Sequence, residues 1–469
     1  MTVKLRLKSL PLGVTLREGL LAVAGALLAA ASFPPLGLWP LALVSAALFL
    51  VLIRDRPAAS ARPLGLLYGL VYGLGTMYWF AGIFGPVAVG LVALFALYFG
   101  LLATLIALTR GHRPAVRALL AALFAVAVEW LRGDAWYLRF PWYTVPHALA
   151  AAPAWIAAAR WLGTYGLSFL IWFVAGLGAF ARPYYWLALL LLPASSLLLP
   201  TPAPPDHHAL LLQAEEDPGV EAVIHNVPAE KVDLAVLPEY AYYASPGMAL
   251  RSKHGPRALA RKTSSPVVFG AVEGNDSDRD YRNIAAVIDA GGQLIGTFTK
   301  QRPLPLFRDG IPGTTRPVFP LEQGTLGVAI CYDFDAPEVA AALVRQGATV
   351  LVVPTFDARS WGTTEHVQHE LLVRLRAVEN DRWVLRAVSS GRSEAIDPRG
   401  YPSQDGLDIG SVGYVTVPFA HRGSRPPGTY ASGLGPAAAA LTAAVFIVGL
   451  ARMLIRKRRV ILPVLRESP

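Results

Sequence analysis

One cysteine in 469 residues is too few for an intramolecular disulfide and too few for a cysteine-based zinc or iron–sulfur site. Charge is scarce as well. Only 16% of residues are Asp, Glu, Lys or Arg against 54% hydrophobic, a balance that calls for membrane spans. No glycine-rich phosphate loop, dinucleotide fingerprint or His-Glu-x-x-His pattern occurs, so neither a cofactor nor a metal is expected. The net charge of +10 is not gathered on one basic face with interleaved aromatics, which argues against nucleic acid as a partner.

The apolar residues crowd the two ends of the chain. Runs at 16–33, 38–53, 64–84, 86–108, 115–131, 162–181 and 184–199 read as seven spans, and 434–455 as a last one. Lys4, Arg6 and Lys8 precede the first run, which lacks a convincing cleavage site and is read as an uncleaved span. Arg54, Arg56 and Arg62, then Arg110, Arg113 and Arg117, then Arg182 fall in alternate connections, the side that positive charge marks as cytoplasmic. Arg456-Lys457-Arg458-Arg459 after the last run agrees, so both termini are expected in the cytoplasm. The expected division is a membrane domain over residues 1–204, an extracytoplasmic catalytic domain over 205–427 and a final span with basic tail over 428–469.

The connection after the fifth run breaks the charge pattern. It carries Arg132, Arg139 and Arg160 on the outer side together with Trp136, Tyr137, Trp142 and Tyr143, which suit the membrane–water boundary. An interfacial arm or a plain loop both fit. Glu129, costly inside a membrane, is expected to pair with Arg132 three residues on.

Between 205 and 427 apolar strands at 209–213, 234–237, 267–270, 285–289, 327–330 and 349–353 alternate with helices at 339–345 and 366–380, which predicts a layered α/β domain. Three strand ends carry chemistry. Leu326 to Ile330 runs into Cys331, and Pro337 with Glu338 opens a helix beyond, so the thiol is expected to be exposed, with a pKa lowered by the helix N-terminus. Glu239 ends a second strand and can act as the base; Lys300 ends a third and can meet an oxyanion. Each alone also fits a bland role, Cys331 as a small core residue and the others as capping or surface charges. His366 and His369 with Glu365 and Glu370 lack a metal-ligand spacing.

Pro238-Glu239, Tyr281-Arg282-Asn283, Thr299-Lys300, Ile330-Cys331-Tyr332-Asp333, Gln368-His369, Arg376 to Asn380, Ser389-Ser390-Gly391 and Ile396 to Gly400 resemble the carbon–nitrogen hydrolase, or nitrilase, superfamily. The resemblance implies an αββα sandwich and a Glu239–Lys300–Cys331 triad. Phe33-Pro34-Pro35 through Pro40, Glu129 to Gly133, Phe140-Pro141-Trp142 and Gly163 to Ser168 are similar to the apolipoprotein N-acyltransferase family. That implies an integral membrane helical bundle of about eight spans carrying the sandwich outside a bacterial inner membrane. It further implies a phospholipid acyl donor, a thioester on Cys331 and a diacylated lipoprotein acceptor. Asp309 stands as the candidate second acid where the family places a Phe-Gly-Glu. Tyr332 and Asp333 are near-site supports, and Phe140, Trp142 and Trp361 are candidate substrate or interface residues. A membrane-tethered amidase and a non-catalytic lipid-binding descendant are the alternatives.

Overall fold

A computed structural model describes residues 14–202, 204–215, 219–274 and 281–448. Lys4, Arg6, Lys8, the end of the last expected span and the 456–459 basic cluster lie outside them.

Thr15 opens helix α1 (Leu16–Ala31) through a reciprocal capping box with Glu18. Helices α2 (Leu41–Ile53), α3 (Ala58–Thr76), α4 (Phe80–Phe84), α5 (Val87–Leu108) and α6 (Pro114–Gly133) follow. After an arm at 134–144 come α7 (Val145–Leu149), α8 (Ala159–Phe180) and a 3-10 helix, Pro183–Leu198. Among the described residues α5, α6, α8 and Pro427–Val448 are long and apolar enough to cross a membrane. The 16 residues of the 3-10 helix are short for an α-helical span, but at ~2.0 Å rise they reach ~32 Å, about the ~30 Å hydrocarbon core.

The third run is redrawn. The helix expected over 64–84 begins at Ala58, ends at Thr76 and restarts as α4. Gly65, Gly69 and Gly73, four apart, line its contact with α5. A Cβ on Gly65 would lie 2.5 Å from the Cβ of Ala103, so the backbones approach as only glycine allows.

The expected Glu129–Arg132 pair does not form. Glu129 accepts from the Ser168 hydroxyl at 2.6 Å and the Trp172 indole at 3.3 Å. Arg132 points the other way, donating to the carbonyls of Phe140 at 2.8 Å and Trp142 at 2.6 Å. The arm offers two carbonyls that need donors, and Arg132 supplies both.

The catalytic domain is two stacked sheets. The first takes β1 (His207–Gln213), β2 (Leu234–Val236), β3 (Val267–Glu273), β4 (Arg282–Ile288) and β5 (Leu294–Thr299); the second takes β6 (Val318–Pro320), β7 (Thr325–Val328), β8 (Val350–Thr355), β9 (Val384–Val388) and β10 (Glu394–Ile396). β11 (Gly413–Phe419) returns to the first sheet, giving the orders β11-β1-β2-β3-β4-β5 and β10-β9-β8-β7-β6. Leu211, Val236, Val268 and Val287 face Val328, Val350 and Val352 in the core between the sheets. Helices α9 (Gly219–Asn226), α10 (Pro246–Ala249) and α11 (Pro256–Thr263) cover the first sheet; α12 (Pro337–Arg345) and α13 (Thr363–Asn380) cover the second. This is an αββα sandwich. Strands β6, β9, β10 and β11 lay outside the sequence-based expectation.

α13 joins bundle and sandwich. Val373 and Ala377 belong to the sandwich core, while Leu371, Leu372, Leu375 and Val378 belong to the bundle core. A helix apolar on two faces is buried between two layers. Its polar residues fasten the same contact: Gln368 accepts from Tyr143 at 2.8 Å, and Arg376 donates to Thr164 at 2.7 Å.

Candidate active site

Glu239, Lys300 and Cys331 converge at neighbouring strand ends, and all three are buried, at 2%, 1% and 2% exposure. β2 delivers Glu239 three residues past Val236. The chain then turns at Tyr240 with φ +54°, directly against Gly270 of β3. A Cβ on Gly270 would lie 2.5 Å from the Tyr240 amide and 2.6 Å from the Glu239 Cα, so this turn requires glycine opposite it.

Lys300, just past β5, donates to Glu239 Oε1 at 2.8 Å and pairs with Asp309 Oδ2 at 2.7 Å. Asn283 Nδ2 bridges the same two acids, 2.6 Å from Glu239 and 2.9 Å from Asp309. The Phe356 amide, following β8, donates to Glu239 Oε2 at 2.8 Å, and its carbonyl faces Cys331 Sγ at 3.9 Å. One residue therefore borders both the carboxylate and the thiol.

The electrostatics correct one expectation. Cys331 is neither exposed nor activated by a helix end: it opens a tight 3-10 turn, Cys331–Phe334, with φ +47°. Helix α12 begins only at Pro337. Burial pushes the thiol well up, the Glu239 carboxylate adds to this, and Lys300 opposes it. Burial also raises Glu239, with Lys300 pulling down and Asp309 pushing up. Burial would lower the Lys300 ammonium, but Asp309 and Glu239 outweigh it and hold it well above its ordinary value. The Lys300 ammonium is thus a fixed cation near both groups, and the Glu239 carboxylate disfavours negative charge on Cys331.

Asp309 reaches Lys300 despite its short side chain because Tyr240 and the Leu304 amide hold it, at 2.8 and 2.7 Å. Asp333 is a clamp: it accepts from the amides of Gln301, Arg302 and Ile330 at 2.9, 2.6 and 3.2 Å, tying the Lys300 loop to the Cys331 turn. Tyr332 donates to the Arg139 carbonyl in the membrane arm.

Phe140, Trp142, Trp361, Tyr332 and Cys331 share the wall of one apolar pocket with residues of α4 and α5. Ring contacts run from Phe84 to Phe307 at 5.3 Å, to Trp361 at 5.7 Å and to Phe356 at 5.9 Å, linking bundle and catalytic cluster. A neighbouring cavity of about 450 Å³, which shares Leu304, Phe307 and Trp361 with that pocket, is lined by Glu239, Lys300 and Asp309.

Nothing in the sequence pattern assigned a role to Asn283 or Phe356. Nor did it reveal a second charged cluster beside the thiol. His369 Nδ1 meets Asp357 at 2.8 Å and Nε2 meets Asp335 at 3.1 Å; Arg386 donates to Asp357 at 2.6 Å and the Trp142 indole to Asp335 at 2.6 Å. Against burial, the two carboxylates push His369 up to about 10. Cys331, Asp357 and His369 bring one ligand atom each within 4.8 Å of one another. With both ring nitrogens facing carboxylates, the imidazolium has no lone pair to give a metal. His366 contacts the Ala358 carbonyl and Glu370 pairs with Arg374.

Residues 24–200 match the apolipoprotein N-acyltransferase N-terminal domain and residues 217–411 the carbon-nitrogen hydrolase domain. An apolipoprotein N-acyltransferase of Pseudomonas paraeruginosa is 30% identical over 455 residues, covering 81% of this chain and 86% of that one. One from Geobacter metallireducens is 28% identical over 452 residues, covering 82% and 86%. Among solved structures, an amidase from Nesterenkonia sp. aligns with a TM-score of 0.38 and 20% identity, over 47% of this chain and 92% of its own.

Proposed function

The chain belongs to the apolipoprotein N-acyltransferase family, and from that premise we propose how its residues carry out lipoprotein N-acylation. Glu239 takes the proton of Cys331, and the thiolate attacks an ester carbonyl of a phospholipid. A C–S bond forms and the carbonyl electrons move to an oxyanion facing Lys300. The C–O bond to glycerol breaks, Glu239 returns the proton to the departing alkoxide, and a lysophospholipid leaves. The α-amino group of a diacylglyceryl-cysteine then attacks the thioester. Glu239 takes the amine proton, the C–S bond breaks, and the thiolate recovers that proton.

The observation that carries this reading is the buried Glu239–Lys300–Asp309 cluster meeting Cys331 at the end of an apolar pocket built partly by membrane helices. Lys300 has two carboxylate partners, so it keeps one when Glu239 is protonated. Phe140, Trp142 and Trp361 are assigned to the acyl wall.

The protein is a membrane enzyme. The finer placement proposed is a bacterial inner membrane with the catalytic domain, residues 205–427, outside. Two contacts support it: Arg117 donates to the Arg54 carbonyl at one end of α6, while Arg302 of the catalytic domain donates to Gly133 at the other, at 3.0 Å. The basic connections and the catalytic domain thus sit at opposite ends of one span.

The test is mass spectrometry of the protein after incubation with a diacyl phospholipid, beside Cys331→Ala. An acyl increment is expected on the Cys331 peptide, absent in the variant and discharged by a diacylated lipopeptide. Discharge by water alone would refute the transfer step.

A further inference from the structure

Arg139, in the arm between α6 and α7, lines two cavities at once. One is the apolar pocket ending at Cys331; the other is a polar groove of about 870 Å³ on its far side. The charged walls of that groove are Arg139, Arg302, Arg316 and Arg345 against Asp134 and Glu338. Asp134 is committed to Arg302, and a single oxygen of Glu338 serves both Arg345 at 2.7 Å and Arg316 at 3.5 Å.

Arg139 has no carboxylate within ion-pair distance among the described residues, and its buried Nε has no hydrogen-bond partner. Arg302 is 8% exposed, and its Nε is likewise unpartnered. Four guanidinium groups face two carboxylates, so the groove lacks negative charge. Burial lowers the Arg139 guanidinium and the like charge of Arg302 lowers it further; Tyr332, Asp333 and Asp134 oppose the shift without cancelling it, and an anion in the groove would relieve what is left. Trp130, Tyr165 and Tyr430 also line the groove, and such aromatics mark headgroup depth in a bilayer.

We propose that this groove holds the phosphodiester of the acyl-donor glycerophospholipid, with Arg139 spanning its headgroup and acyl subsites. The inference rests on the acyl-transfer reading above. In a glycerophospholipid the reacting ester and the phosphate are separated by the glycerol backbone alone, which is what a residue shared by both cavities accommodates. The acceptor, a diacylglyceryl-cysteine, carries no phosphate. The groove therefore tells donor from acceptor at a thiol that must meet both, and bidentate guanidinium–phosphate contact supplies the selectivity.

The experiment uses the full chain bearing Cys331→Ala, which forms no thioester, and compares binding of dioctanoyl phosphatidylethanolamine with dioctanoylglycerol. The phospholipid is expected to bind at least about tenfold tighter, a gap of ~1.4 kcal/mol. Arg139→Gln should bring the ratio to within about threefold, and Arg139→Lys, which keeps the charge but loses the bidentate fork, should retain only part of it. Arg316→Gln, on another wall, should lower the ratio by a smaller factor and serves if the first variant does not fold. A ratio unchanged in Arg139→Gln, or in Arg316→Gln where that variant stands in, overturns the proposal, as does the absence of any preference in the parent. Inorganic phosphate is expected not to displace the phospholipid at equal concentration; displacement would assign the groove to a free anion. Failure of the native chain to acquire an acyl group would remove the transfer reading while leaving this binding ratio measurable, so the two fail separately.

Discussion

Gly270→Ala tests the site through a residue that performs no chemistry. The added Cβ would stand 2.5 Å from the Tyr240 nitrogen, 2.6 Å from the Glu239 Cα and 2.6 Å from the Pro238 oxygen. All three are backbone atoms, so no side chain can rotate away. Relaxing to ordinary contact at ~3.5 Å demands a shift of ~1 Å in the turn that carries Glu239. A displacement of that size costs about 100-fold in rate, or ~2.7 kcal/mol of barrier. The overpacking penalty to stability is ~1–3 kcal/mol, compatible with a folded protein. The assay is the rate at which Cys331 gains an acyl increment from a diacyl phospholipid, with thermal unfolding alongside. Gly247→Ala is the control: it lies in α10 with nothing within 4 Å of an added Cβ, and should match the parent in rate. If Gly270→Ala acylates within about threefold of the parent, a 1 Å displacement of this turn does not matter, and the reasoning that the close approach sets Glu239 fails.

Lys300→Met should abolish acylation and lower stability by ~3–5 kcal/mol, because Glu239 and Asp309 remain buried without their ammonium. The stability deficit should shrink as pH falls and Glu239, already pushed up by burial, takes up its proton, which thermal unfolding across pH would read. Trp142→Phe keeps the stacking on His369, at 5.6 Å between centroids, but loses the 2.6 Å bond to Asp335; the cost should be ~1.5–3 kcal/mol in a thermal melt. For His369→Gln the sign follows from a pKa raised from 6.5 to about 10. The stability His369 contributes is complete below its unfolded value and fades as pH rises through about 10, so the gap in Tm should be widest below neutrality and narrow in alkali. A gap that widened with rising pH would contradict the pairing.

The apolar runs, the alternation of strands and helices, and the placing of Glu239, Lys300 and Cys331 at strand ends were determined by the sequence itself. Each depends on local periodicity or on residues adjacent in the chain. Helix ends were less legible: Thr76 ends α3 where the apolar run continues; and β11, an edge strand, carries Pro418, which argues against a strand anywhere but at an edge.

What only the tertiary structure decided were partners. Arg132 has Glu129 one turn away, yet it serves the carbonyls of Phe140 and Trp142 because the arm folds back over it. Asp309 works as Lys300's second acid because Tyr240 and the Leu304 amide hold it there, which no reading of side-chain length could supply. Trp142 and Asp335 are 193 residues apart and meet at 2.6 Å. Cys331 looked exposed at a strand end and proved buried, since the bundle arm and α13 close over it. Burial and pairing are sums over segments distant in the chain, and local pattern carries no record of those sums.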